Sequence, residues 1–279
     1  MMDSNKKYIY ELSITTQGPL YPPSEVIDKN GDFVVIGTLP QKDKNLWGMA
    51  IVDKETLVPP FGNIEPYLIK KDLSSASIDE LSDIELFTLP LPLPLNNYPM
   101  VFAPEQCPKA NGVVRDSFSL NQAYISDYRE SDGRRKIDKI TLADWVKAEG
   151  RLTVTVLDDS RSVRFDFDFS HLIPNSLYTV MSLREDDLNP DMLTRPGPLG
   201  IPNVFITDAH GCASYWAILD NPFPAKVNKE ANRIINIVVL FMSSQQSYGG
   251  AIGLYGLGGD IHAHLKLKQS DFHNITTLG

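Results

Sequence analysis

The chain has 279 residues, of which 42% are hydrophobic and 22% are charged, and its formal net charge is −9 at pH 7. These proportions are close to globular averages and exclude a chain that is disordered throughout. The negative charge disfavours non-specific binding to nucleic acid or anionic membranes, and no apolar run approaches the roughly 20 residues that span a bilayer. We therefore expect a globular protein with no membrane span and no nucleic-acid partner.

Residues 1–95 are predicted to form a β-rich N-terminal region. Short strand-like segments are separated by turns that contain proline or glycine, at residues 8–15, 33–39 and 46–52. A short helix is predicted at 77–86, because Ser77 and Glu80 have the spacing of a capping box. The alternating leucines and prolines at 89–95 exclude a helix and favour a stiff, extended connector.

Residues 96–139 are predicted to be a connecting segment, and residues 140–279 an antiparallel β-sandwich, either Ig-like or jelly-roll-like. A second short helix opens this domain, where Thr141 and Asp144 have capping-box spacing and Gly150 marks the end. The fold class predicted for the whole chain is therefore mainly β, with two short helices.

The strongest pattern in the chain lies in residues 152–169. Every second residue is apolar in two runs separated by a polar turn: Leu152, Val154 and Val156, then Val163, Phe165, Phe167 and Phe169. A period of two indicates an antiparallel ribbon with one buried face and one wet face. Further strands are predicted at 176–183, 203–206, 212–219, 234–242 and 261–268. The second and third of these are expected to form a hairpin around a tight turn at 208–211.

A pair of histidines near the C-terminus is the clearest candidate for metal binding. On a regular strand, His262 and His264 would share a solvated face with two lysines, and side chains at this spacing lie roughly 6 to 7 Å apart. Both imidazoles could bind one zinc or copper ion, with His210 among the candidates for a third ligand. A solvated polar face explains the same pattern without a metal, so the main expectation is that no cofactor is bound.

Two long loops are the expected ligand-binding surface. Residues 184–202 contain several acidic side chains and four prolines, and residues 243–259 include six glycines between 249 and 259. Long loops on a rigid scaffold commonly carry recognition. The candidate ligand-binding residues in the two loops are Asp186, Asp187, Asp191, Tyr248 and Tyr255.

The sequence has no local signature of a common enzyme class. It contains no G-x-S-x-G, H-E-x-x-H or C-x-x-C motif. Cys107 and Cys212 allow one disulfide but are more simply explained as two small buried residues. The sequence thus names no catalytic residue.

Three groups of residues carry a resemblance to other proteins: TLADW at 141–145 leading into GRLTVT at 150–155, LIPN at 172–175 with LYTV at 177–180, and DAHG at 208–211. Over about residues 140–268 the chain resembles an uncharacterised group of mostly secreted bacterial β-sandwich proteins. The resemblance implies a sandwich fold and a periplasmic or extracellular location after removal of a signal peptide. Residues 1–7 contain no apolar signal segment, so a cytoplasmic location stays open.

The leading functional hypothesis is a non-enzymatic, exported binding or surface module. Its two long loops would recognise a small molecule, a glycan or a protein. One alternative is a zinc- or copper-dependent enzyme that uses His262 and His264. A second alternative is an enzyme whose site lies in a cleft between the two halves of the chain, where pockets often form.

Overall fold

The computed structural model describes residues 6–18, 23–42, 44–56, 65–91, 112–121, 138–188, 196–225, 231–250, 259–269 and 271–277. The strands within these ranges are β1 (Lys7–Glu11), β2 (Ser13–Ile14), β3 (Val26–Ile27), β4 (Phe33–Pro40), β5 (Asn45–Val52), β6 (Ile69–Asp72), β7 (Phe87–Thr88), β8 (Glu149–Val156), β9 (Ser162–Ser170), β10 (Leu177–Arg184), β11 (Gly197–Pro198), β12 (Val204–Ile206), β13 (Ala213–Asp220), β14 (Ile234–Met242) and β15 (Ile261–Lys266). The helices are α1 (Ile78–Ser82) and α2 (Leu142–Trp145), and a 3₁₀ turn spans Glu185–Leu188.

The strands form three antiparallel sheets. The first sheet has the order β1-β8-β9-β13, and the second has the order β11-β10-β14-β15-β2, with β12 also paired to β10. The third sheet has the order β6-β5-β4-β3-β7. The mainly β class with two short helices is confirmed, and no helix in the described ranges is long and apolar enough to cross a membrane.

One large apolar core joins the three sheets. It contains Phe165 from the first sheet, Val239 from the second and Val34 from the third. The first two sheets contribute their inner faces to this core in a sandwich-like arrangement. Burial of these side chains is the main favourable contribution to folding, at about 25 cal/mol per Å² of apolar surface.

The hairpin β8–β9 follows the alternation in the sequence. Leu152 is opposite Phe167 and Val154 is opposite Phe165, and all four side chains are buried. Of the intervening polar residues, Asp168 is exposed and Arg164 and Asp166 are partly exposed, whereas Thr155 at the end of β8 is buried. The predicted buried and wet faces of this ribbon are therefore confirmed.

The strand β14 is buried along its whole length, as predicted for a central strand. It lies between β10 and β15, so both of its edges are paired. One face contributes to the large core, and the other contributes Val238 and Leu240 to a smaller apolar cluster with Met181 and Ala263. A strand covered on both faces has no reason to alternate, which explains its continuous apolar sequence.

The first strands of the chain belong to the sandwich. β1 pairs with β8 along five residues, and β2 pairs with β15 through Ile14 and Leu265. The strand pairing therefore crosses the predicted division between residues 1–95 and 140–279. The third sheet contributes Val34 and Ile36 to the same core, so it packs directly on the sandwich.

The predicted hairpin of residues 203–206 with 212–219 is wrong. β12 pairs with β10 in the second sheet, whereas β13 pairs with β9 in the first. The tight turn itself is present, because the carboxylate of Asp208 accepts hydrogen bonds from the backbone N–H groups of His210 and Cys212, both at 2.8 Å. Turn residues specify a reversal of the chain, but they do not specify which strands pair.

Both predicted capping boxes are present. The side chain of Ser77 accepts from the backbone N–H of Glu80 at the start of α1, and Thr141 does the same with Asp144 at the start of α2. In each helix the acidic side chain also accepts from the backbone N–H of the capping residue. Short helices depend on such caps, because much of their backbone has no partner within the helix.

Three smaller predictions have different outcomes. Leu89 and Leu91 of the leucine-proline connector are buried against the protein, and residues 92–95 lie outside the described ranges. Cys212 is exposed, so the prediction that it is buried is wrong. Cys107 lies outside the described ranges.

Candidate functional site

A β-bulge in β15 changes the direction of its histidines. Leu240 is opposite Ala263 and the next residue of β14, Val239, is opposite Leu265, so His264 is an extra residue in the ladder. Such an insertion breaks the period-two alternation. His262 and His264 are 2% and 0% exposed, and the predicted solvated face is wrong because β15 is covered on both sides.

His264 bridges two elements of the core. Its Nε2 lies 2.9 Å from the backbone oxygen of Trp145, and its Nδ1 lies 3.0 Å from the hydroxyl of Tyr178. A carbonyl oxygen can only accept, so Nε2 carries the hydrogen and Nδ1 accepts from the tyrosine. Burial lowers the pKa of His264 to about 3, and its neutral ring stacks on the indole of Trp145. These contacts give His264 a structural role.

His262 makes the opposite pair of hydrogen bonds. Its Nδ1 lies 3.0 Å from the backbone oxygen of Glu25, and its Nε2 lies 2.8 Å from the hydroxyl of Ser243. The carbonyl requires a hydrogen on Nδ1, and burial lowers the pKa of His262, so the ring is neutral and Nε2 accepts from Ser243. A hydroxyl that donates to an oriented, neutral imidazole is the arrangement of an activated nucleophile.

Two other perturbed titratable groups contact β15 or belong to it. Glu25 is buried at the start of the third sheet, its carboxylate accepts from the backbone N–H of Ala263, and burial raises its pKa to about 7. Burial lowers the pKa of Lys266 to about 8, and the ammonium donates to the backbone oxygen of Gln17 at 3.0 Å. Clusters of such groups are more frequent at functional sites than elsewhere.

The described residues contain no group of three histidine, cysteine, aspartate or glutamate side chains that could hold a metal ion. All four ring nitrogens of His262 and His264 have protein partners at hydrogen-bond distance. His210 lies in the exposed turn that connects the two sandwich sheets. The predicted set of three histidines is therefore not assembled in this structure.

The predicted loop residues have different environments. Asp187 is buried, and its carboxylate accepts from the backbone N–H of Arg184 at 2.7 Å. Asp186 is partly exposed, and its backbone N–H donates to the side chain of Asn232. Tyr248 is 52% exposed. Asp191 and Tyr255 lie outside the described ranges.

The two predicted loops meet at the edge of the second sheet. Gly250 of the later loop packs beside Pro198 and Ile201 of the earlier one. Ile201 and Tyr248 are both exposed, so this end of the protein presents apolar surface to solvent. Exposed apolar side chains beside a loop junction are compatible with recognition of a partner.

A cleft of about 810 Å³ lies between the third sheet and the sandwich. Its apolar walls include Leu12 and Ile14 of the sandwich, and Ile36, Trp47 and Met49 of the third sheet. Sequence reasoning expected a pocket between the two halves but named none of these residues. No local signal marks them, because the cleft forms only where segments distant in the sequence pack together.

One side of the cleft is formed by the indole of Trp47, and two ammonium groups lie close to this ring. Trp47 is half-buried, and the ammonium groups of Lys266 and Lys268 lie 5.5 and 5.6 Å from its ring centre. Both distances are within the range of cation–π interactions. The ring of Trp47 therefore joins the apolar lining of the cleft to two nearby positive charges.

Two carboxylates line the sandwich side of the cleft, those of Glu11 and Glu149, and both have polar partners on the sandwich. Glu11 pairs with Arg151 at 3.3 Å, and Glu149 accepts from the hydroxyl of Ser170 at 3.0 Å. Both glutamates are exposed, so solvent screens their charges. The lysines beside Trp47 therefore set the local charge at the aromatic side of the cleft.

Comparison of the chain with protein-family models, with curated proteins and with solved structures finds no match. The resemblance to secreted bacterial β-sandwich proteins stays a prediction.

Proposed function

We propose that the protein is a binding module that holds a small anionic molecule with an apolar ring or chain in the cleft beside Trp47. The observation that carries the proposal is the combination of apolar walls, a half-exposed indole and the nearby ammonium groups of Lys266 and Lys268. Concave apolar sites with a few polar groups are the usual form of a small-molecule site. The predicted binding role is kept, but its main site moves from the loops to the cleft.

Each part of the cleft favours one part of such a ligand. Covering an apolar ring with the walls of the cleft is worth about 1.5 to 3 kcal/mol. Lys268 is exposed and Lys266 is half-buried, so a negative group near the ring would meet one screened and one less screened ammonium group. The apolar walls contribute affinity, and the lysines select for negative charge.

The exposed apolar surface at Ile201 and Tyr248 favours the loop junction as a second binding surface. Its occupant would be larger than the ligand of the cleft, since the surface is open rather than concave. The export of the protein and its lack of enzymatic activity stay predictions.

The proposal is tested by titrating the full chain with 8-anilinonaphthalene-1-sulfonate, an anionic aromatic probe, and measuring probe fluorescence. We expect saturable binding of one probe per chain, weakened at least tenfold in a Trp47→Ala variant. A tenfold loss corresponds to about 1.4 kcal/mol, close to the lower end of the range of about 1.5 to 3 kcal/mol for covering an apolar ring.

The matched control is Trp216→Ala. Trp216 is exposed on the outer face of the first sheet, opposite Asp166, and it does not line the cleft. We expect this variant to bind the probe as the wild-type chain does. Equal affinities in the wild-type and Trp47→Ala chains, with an unchanged urea unfolding midpoint, would overturn the proposal.

A further inference from the structure

The hydrogen bond between Ser243 and His262 lies at one end of the second sheet. Ser243 is the first residue after β14, and His262 is opposite Phe241, near the end of the same strand. Strand pairing therefore fixes both backbones, and the two side chains meet at 2.8 Å. Neither residue lines the cleft beside Trp47, so this is a separate site.

The proton positions in this site suit base catalysis. The backbone oxygen of Glu25 keeps the hydrogen of His262 on Nδ1, and the free electron pair of Nε2 faces the hydroxyl of Ser243. A general base needs this orientation to accept the proton of a nucleophile. His264, two residues further along β15, has the opposite tautomer and no serine partner.

Two buried donors without partners belong to segments that adjoin this pair. Among the described residues, Ser244 Oγ and Arg115 Nε are buried side-chain atoms with no hydrogen-bond partner. Ser244 follows Ser243 in the chain and its hydroxyl lies beside Gly259, and Arg115 pairs with Asp260, two residues before His262. Buried donors are rarely left unsatisfied, and donors aimed at a developing negative charge stabilise acyl-transfer transition states.

We propose that Ser243 and His262 are the nucleophile and general base of an acyl-transfer site for small carboxylic esters. The oxygen of Ser243 attacks the carbonyl carbon while its proton moves to Nε2 of His262. The tetrahedral oxyanion is stabilised by Ser244 and Arg115. The ester C–O bond breaks, and the leaving alcohol takes the proton from His262. Water then hydrolyses the acyl-serine by the same route, which releases the carboxylic acid and restores the hydroxyl.

Burial determines the substrates that this site can accept. Ser243 is fully buried, so an ester reaches it only when neighbouring residues move apart. Small acyl groups and slow turnover are expected for that reason. This activity goes beyond the proposed binding function, and it departs from the sequence-based expectation of a non-enzymatic module.

The test is covalent labelling of the native full chain with an alkyl fluorophosphonate, followed by intact mass measurement and peptide mapping. We expect one adduct per chain, on Ser243, and slow hydrolysis of p-nitrophenyl acetate. His262→Gln should lower both rates at least 100-fold, which is within the usual range for loss of a general base. Ser243→Ala should abolish the adduct.

Two further variants separate catalysis from folding. Ser244→Ala removes a hydroxyl that has no partner, so it should lower the hydrolysis rate about tenfold and leave the unfolding midpoint unchanged. Ser247→Ala, on the same loop, should keep the labelling rate within twofold. Absence of an adduct on the wild-type chain, or an adduct on another residue, would show that the Ser243–His262 bond is structural only.

Discussion

The substitution Glu25→Gln should change how the stability of the protein depends on pH. The Glu25 carboxyl is buried and bonded to the backbone N–H of Ala263. Glutamine has nearly the same shape and keeps a carbonyl oxygen that can accept from this N–H group. The variant therefore removes one ionisable proton and leaves the packing close to that of the wild-type chain.

The expected magnitude follows from the pKa of Glu25. Burial raises this pKa from 4.5 to about 7, so between these pH values the folded chain holds a proton that the unfolded chain has lost. The free energy of unfolding contributed by Glu25 is then greatest below pH 4.5 and falls as the pH rises to 7. At about 1.36 kcal/mol per pKa unit, the fall is about 3 kcal/mol.

The assay is urea unfolding of both chains at pH 4 and pH 7.5. The lowered pKa values of His262 and His264 make stability rise with pH in the acidic range, but they act in both chains and largely cancel. From pH 4 to pH 7.5, we expect the free energy of unfolding of the variant to rise by about 3 kcal/mol relative to that of the wild-type chain. The control Glu55→Gln, at an exposed residue, should show no such rise. If the free energy of unfolding changed with pH equally in Glu25→Gln and in the wild-type chain, the reasoning would be refuted.

Two other substitutions test contacts inside the fold. His264→Ala should lower the free energy of unfolding by about 3 kcal/mol, because it opens a cavity, removes the acceptor of the Tyr178 O–H and leaves the carbonyl of Trp145 only a long hydrogen bond from the N–H of Ala148. A loss below about 1 kcal/mol in urea unfolding would contradict this. Gly211→Ala should cost about 2 kcal/mol, because φ is +74° and a Cβ would lie 2.1 Å from the oxygen of Leu172. An unchanged thermal unfolding midpoint would contradict the second prediction.

The hairpin β8–β9 could be predicted from sequence because its determinants are local. The apolar period defines the buried face, and a short polar turn brings neighbouring runs together. The capping boxes of Ser77 and Thr141 were predictable for the same reason. In each case the residues that cooperate are only a few positions apart.

The environment of the two histidines could not be predicted from the same rule. A bulge at His264 breaks the alternation, and Glu25, more than 200 residues earlier, covers the strand. The period-two pattern of the sequence indicates neither the bulge nor the contact with Glu25. The hydrogen bond between Ser243 and His262 was missed as well, because it depends on the pairing of β14 with β15.

The sequence predicted the position of the cleft, between the two halves of the chain, but not the residues that line it. A pocket between the two halves follows from general experience with domain junctions. Its walls come from residues as distant as Leu12 and Gly150, and they meet because β1 and β2 join the sandwich. Those strands lie in the part of the sequence that was assigned to the other region.

A crystal structure of the full chain soaked with 8-anilinonaphthalene-1-sulfonate tests the proposed binding function most directly. The proposal predicts that the aromatic rings of the probe lie against Trp47, inside the cleft, with the sulfonate within reach of Lys268. Density for the probe at the loop junction beside Ile201 and Tyr248, with an empty cleft, would contradict it.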